Sequence, residues 1–283
     1  MDLLNLLWIY FILASLQPIL QRQLLVARRR ATLNSISRAR GATVITLIHR
    51  QETMSLLGFP VVRYIDIDDA ESVLRAIRDT PPDRPIEMIL HTPGGLVLAA
   101  QQIASALADH PGTVTAVVPH YAMSGGTLIS LAADEIVIDS HSVLGPVDPQ
   151  LGEYPAASLV EVARMPGDHD DRTLILADMG HKAIVQVEGF VERLLAPRMP
   201  AEQARSAAQI LARGVWTHDH PLTATELERL GLPHRVGLPE EERDLMSLYP
   251  QPRGRTPAVE YVPSPSGPMP GPGRELPRGS RRR

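Results

Sequence analysis

An α/β fold with parallel strands is predicted for most of this chain, and two observations carry the prediction. From Gly41 onward, short β-branched or aliphatic runs alternate with longer amphipathic ones. Strand, helix, strand at this spacing implies parallel pairing through helical crossovers. In addition, two diglycine turns, His91-Thr92-Pro93-Gly94-Gly95 and Met123-Ser124-Gly125-Gly126, lie about one such unit apart, each after a strand. Open α/β sheets place their ligands at the carboxyl ends of strands.

The elements follow in order. Residues 3–20 are almost wholly apolar, interrupted by Asn5, Ser15, Gln17 and Pro18. The run approaches the ~20 residues a membrane helix needs. Arg22, Arg28, Arg29, Arg30, Arg38 and Arg40 come after it and only Met1-Asp2 before it, the reverse of a secretory signal. The positive-inside rule then predicts a single-pass anchor at 1–22, N-terminus out, with the rest of the chain cytoplasmic. A basic juxtamembrane linker is expected at 23–40.

The main domain is expected at 41–250. Thr43-Val44-Ile45-Thr46-Leu47-Ile48 reads as a buried strand and 61–67 as another. Asp68, Asp69 and Glu71 open a helix that runs to 78. A strand at 86–90, a helix at 96–108 and a strand at 113–118 lead to the Ser124 turn. A small-residue helix to 133 and a strand at 135–138 follow. Helices are expected at 173–195, 201–212 and 223–230, the last capped by Thr223 with Glu226 and closed by Gly231. A Pro- and Gly-rich flexible tail is expected at 251–283.

Composition narrows the function. Of the 283 residues 44% are hydrophobic, enough for a sizeable core, and the net charge is only -4. With no sustained basic stripe along the middle of the chain, nucleic acid is not an expected partner. The absence of cysteine excludes disulfides, thiol catalysis and cysteine-based zinc sites. The histidines are too scattered for a metal site, so neither metal nor cofactor is expected. No Gly-x-x-x-x-Gly-Lys loop is present, so the chain encodes no ATPase.

The chemistry-bearing residue is Ser124. A hydroxyl among small residues at a strand-to-helix turn can attack a carbonyl. The Gly125 N–H and one from Gly94 or Gly95 can hold the resulting oxyanion. For the base, Lys182 is the first choice. It is the one lysine among 28 basic residues, and arginine does not deprotonate in proteins. A lysine serves only if burial removes its preference for the proton. Asp178, four residues earlier on the same helix, would instead make an i,i+4 ion pair. The competing base is His141, near Asp139, Asp148 and Asp171 in sequence. His91, His218 and His220 read as polar capping residues, and His120 is adjacent to the turn but expected to point away.

The two glycine turns together resemble the Clp-protease/crotonase superfamily, on its signal peptide peptidase A branch. More narrowly, five segments are similar to the serine dehydrogenase proteinase family. They are Ile48-His49-Arg50-Gln51-Glu52, residues 91–99, residues 119–133, Val143-Leu144-Gly145-Pro146-Val147-Asp148-Pro149-Gln150, and Trp216-Thr217-His218-Asp219. The resemblance covers residues 40–262 and a similarly placed apolar N-terminus. It implies a crotonase/Clp-like spiral of ββα units, a homo-oligomer, and a membrane-bound serine peptidase acting on peptides or on unfolded or membrane proteins. The Ser-then-Lys order of the branch suits Lys182, and the Ser, His, Asp order of the Clp peptidase suits His141. Two other classes share these features: a crotonase-like acyl-CoA enzyme with a glutamate base, and a membrane scaffold without catalysis.

Overall fold

Five strands run parallel in one sheet, in the order in which the chain lays them down. They are β1 (Thr43–Ile48), β2 (Ile86–His91), β3 (Val114–Val118), β4 (Glu135–Ile138) and β5 (His234–Val236). The computed structural model describes residues 3–49, 55–56, 59–60 and 63–249; the side chains of 3–15, 18, 55–56 and 59–60 are outside that description. Register is fixed along each pair, with Thr43 opposite Ile86, Ile86 opposite Val114, Thr115 opposite Glu135 and His234 opposite Ile136. Every connection moves to the next neighbour in one direction, so the sheet grows without a reversal.

Side chains alternate across such a sheet, and both faces are covered. Ile45, Leu47, Met88, Leu90, Ala116, Val118, Ile136 and Ile138 point into the larger core. That core is closed by α2 (Ile67–Arg78), α3 (Val97–Ala108), α4 (Gly125–Leu131), α6 (Asp171–Leu195), α7 (Ala201–Ala212) and α8 (Ala224–Arg229). With few aromatics, the interior is packed by aliphatics and by small faces such as Ala99, Ala100 and Ala104 of α3. Ile89, Val117 and Val137 face the other way, against Ile36 and Leu245. Those two residues come from α1 (Leu3–Arg40) and α9 (Glu240–Ser247).

Several expectations change here. Residues 23–40 are helical, the second half of one helix that begins at Leu3. Its arginines are partly spent on the domain itself. Arg29 donates to the Leu248 carbonyl at 2.6 Å and lies 4.1 Å over the Tyr249 ring. Arg40 pairs with Glu242 at 3.0 Å. Most of the predicted anchor, 1–22, falls on side chains outside the described residues. Among the described residues no helix is long and apolar enough to cross a membrane. The tail at 251–283 is likewise outside them.

The strand expected at 61–67 reduces, in its described part, to one bridge between Ile65 and Gly95. Helix α2 starts at Ile67 because Asp66 accepts the Asp69 N–H at 2.9 Å while Asp69 accepts the Asp66 N–H at 3.1 Å. Such a capping box satisfies two otherwise orphaned donors. Strand β5, α5 (Ala156–Val162) and α9 were not anticipated. The other expected helices of the main domain and the other strands of the five-stranded sheet begin and end within two residues of the expected limits, and the two-residue strands were not anticipated.

Candidate active site

The two glycine turns meet. Thr92 donates its N–H to Tyr121 at 3.2 Å and accepts from Met123 at 2.9 Å, which ties the first turn to the second. A methyl group on Gly94 would lie 2.8 Å from Ser124 Cβ and 3.0 Å from Gly125 N. One on Gly95 would overlap the Ile65 backbone at 2.3 Å. Gly94 also has φ +103, a conformation reserved for glycine. Both glycines are therefore required by contact and geometry before any chemistry is considered.

Ser124 stands at the head of α4 with φ 50 and ψ -113. Among the described residues it is the one non-glycine with positive φ. Strained backbone of this kind collects at functional sites. The side chain is half-buried and does not cap α4. No hydrogen bond to its Oγ is found among the described residues. The turn thus presents an uncommitted hydroxyl.

The donors around it sort themselves. Gly94 gives its N–H to Thr92 Oγ1 at 3.2 Å. Of the two turn amides proposed from sequence, Gly94 is thereby occupied. Gly95 N lies 3.5 Å from where a Gly125 Cβ would stand. No protein acceptor for the Gly95 or Gly125 N–H is found among the described residues. Two amides close together beside a hydroxyl form the arrangement an oxyanion needs.

Lys182 and Asp178 form the ion pair the sequence allowed, at 2.5 Å, with both side chains more than half exposed. No hydrogen bond joins Lys182 to the nucleophile turn among the described residues. The desolvation that a lysine base requires is not provided within the protomer. His141 is exposed in the loop after β4; its backbone N–H reaches Asp139, and Asp139 pairs with Arg243 at 2.9 Å. His91 and His120 pack edge to face at 5.5 Å, with His91 also against Tyr121.

The pair that sequence reasoning missed is Asp148 with His218. Asp148 Oδ1 lies 2.8 Å from His218 Nδ1, and Asp148 Oδ2 accepts from Gln150 at 2.7 Å. The Asp148 side chain is almost wholly buried, while that of His218 is 32% exposed. A carboxyl group on Nδ1 fixes the imidazole and leaves Nε2 facing outward, as a general base requires.

Two short pairings link the segments of this unit to the Ser124 turn. Tyr121–Ala122 pairs with Val143–Leu144 in parallel, and Leu144 pairs with Leu222 antiparallel. From the row Ala122, Leu144, Leu222, the chain reaches Ser124, Asp148 and His218 by leaving on one side. Gly145 approaches the Met123 side chain so closely that a Cβ there would lie 2.4 Å from Met123 Cε. Thr127 Oγ1 accepts the Gly145 N–H at 3.1 Å and lies within donating distance of the Ala122 carbonyl at 2.8 Å and the Gly145 carbonyl at 2.9 Å. The His218 loop is braced by Trp216 stacked on His220 at 5.0 Å. The segments that hold Asp148 and His218 are both among those singled out in the sequence, but neither residue carries a local cue to the other.

The chain is 51% identical over 260 residues, 91% of each chain, to an uncharacterized protein of Methanocaldococcus jannaschii. It is 47% identical to a second uncharacterized protein of that organism, over 91% of this chain and 89% of the relative. A weaker similarity, 28% over 142 residues, links half of this chain to 30% of the membrane protein NfeD1b of Bacillus subtilis. Residues 1–270 match the family described as ClpP-like SDH-type serine proteinase, and the chain belongs to that family.

Proposed function

We propose that the protein is a serine peptidase in which Ser124 attacks the peptide carbonyl and His218, oriented by Asp148, takes its proton. The N–H groups of Gly95 and Gly125 hold the oxyanion. His218 then delivers the proton to the leaving amine, and water hydrolyses the acyl-enzyme by the same route. The observation that carries this reading is the strained, uncommitted Ser124 hydroxyl, with a carboxyl–imidazole pair, its carboxyl buried, on segments that leave the same end of the Ala122–Leu144–Leu222 row. A cavity of about 480 Å³ lies between Val97 and Gln101 of α3, residues 149–151 and the Ala183–Arg193 stretch of α6.

The bases are separated by three variants and a fluorophosphonate probe. Ser124→Ala and His218→Ala are expected to lose labelling, and Lys182→Arg to keep it within about twofold, since removal of a catalytic base costs orders of magnitude. Loss of labelling in Lys182→Arg with retention in His218→Ala would overturn this assignment. It would favour the Ser-Lys dyad, with the lysine reached from a second protomer.

The one-directional sheet supports a spiral of the crotonase/Clp type, and ClpP-like proteases work as oligomers, so we propose a homo-oligomer acting on peptides or unfolded proteins. The apolar residues 3–20 and the similarity to a protein named as a membrane protein support an N-terminal anchor with the catalytic domain cytoplasmic. Carbonate washing of a membrane fraction is expected to leave the full chain in the pellet; complete release would overturn the anchor.

A further inference from the structure

Behind the first glycine turn lies a buried relay whose members do not touch the reacting atoms. His49, at the end of β1, is 3% exposed. Its Nε2 lies 3.2 Å from Asp69 Oδ2 and its Nδ1 2.9 Å from Thr92 Oγ1. The carboxylate selects the tautomer. With the proton on Nε2, His49 donates to Asp69 and keeps a lone pair on Nδ1; the other tautomer would set two lone pairs against each other.

That choice decides the direction of the Thr92 hydroxyl. Its single hydrogen goes to His49 Nδ1 at 2.9 Å in preference to the Gly94 carbonyl at 3.5 Å. A hydroxyl oxygen that has donated its hydrogen can still accept. It accepts the Gly94 N–H at 3.2 Å. The Gly94 carbonyl is held from the other side by the Ile65 N–H at 2.7 Å. Both polar ends of Gly94 are thus tied down, and the next amide, that of Gly95, is left over.

We propose that His49 is a positioning residue: by accepting the Thr92 O–H it turns a hydroxyl lone pair onto Gly94 and so holds the Gly95 N–H toward the reacting carbonyl oxygen. This rests on the reading of Ser124 as the nucleophile. Burial, the largest influence, lowers the His49 pKa and keeps Nδ1 an acceptor; Arg63 acts in the same direction, while Asp69 and Asp66 oppose it.

The test uses the full-length protein and a fluorophosphonate probe, resolving the maximal phosphonylation rate from the probe affinity. Thr92→Val, which keeps the shape and removes the hydroxyl, is expected to lower the maximal rate about 10- to 100-fold with affinity within about twofold, as for a misplaced oxyanion donor. His49→Leu should behave alike. Thr92→Ser keeps the hydroxyl, and His49→Asn places an amide oxygen near the Nδ1 position; both should stay within about threefold of wild type. A Thr92→Val rate equal to wild type would overturn the inference, as would equal losses in Thr92→Val and Thr92→Ser. Should His49→Leu fail to fold, the two Thr92 variants decide alone. Labelling of Ser124→Ala would instead overturn the nucleophile reading, so the two failures are distinguishable.

Discussion

Ser124 holds a backbone conformation that glycine adopts readily and serine does not. Strain of this kind costs on the order of 1–3 kcal/mol. In urea unfolding, Ser124→Gly should therefore be more stable than Ser124→Ala by about 1 kcal/mol, because only glycine relieves the turn while both remove the hydroxyl. Equal stabilities would show that the turn stores no strain. The serine and its glycine neighbours were legible in the sequence because their chemistry is local: small residues, a hydroxyl and a strand end within a few positions. Asp148 and His218 were not, since 70 residues separate them and long-range pairings such as Leu144–Leu222 bring them together. Lys182 was singled out for a different reason. Its uniqueness is a property of composition, whereas a base is made by its surroundings, and those are water and Asp178.

At the scale of elements, the central strands and their helices were readable from period and turn residues, as with β2, α3 and β3. The edge element β5 was not, because three residues carry no period, and α9 opens on Glu240, Glu241 and Glu242, three acids in a row with no apolar period to mark a buried face. Yet Glu242 is fully buried. It meets Glu87 of β2 where α1 and α9 cover the sheet, with Arg40 at 3.0 Å. Burial first, and then the neighbouring Glu242, raise the Glu87 pKa from 4.5 to about 7. A carboxyl group that keeps its proton longer when folded stabilises the fold fully below pH 4.5 and loses that contribution as the pH rises through about 7. Glu87→Gln should therefore flatten the change in thermal stability between pH 5 and pH 7.5. An unchanged slope would mean that the pair does not share a proton. The clasp between α1, α9 and the sheet is then strongest under mildly acidic conditions.

At the scale of the molecule, α6 turns Leu174, Ile175 and Met179 to solvent, between 46% and 60% exposed. Neighbouring apolar side chains of this kind mark association surfaces when they form a patch. Leu174→Glu with Ile175→Glu is expected to lower the mass seen by sedimentation velocity, while circular dichroism stays unchanged; an unaltered mass would place the subunit contacts elsewhere. The parallel architecture was visible before the structure because each crossover follows from a local change of period. The route of α1 was not, since no local pattern says whether arginines after an apolar run meet lipid, water or the domain. Helix α1 is 38 residues long without a break, about 57 Å at 1.5 Å per residue. Only its last stretch, from about Leu33, rests on the sheet. The turns before that footing carry the start of the helix away from the sheet, so a contact made there would act on the domain from a distance set by the helix and not by the cleft.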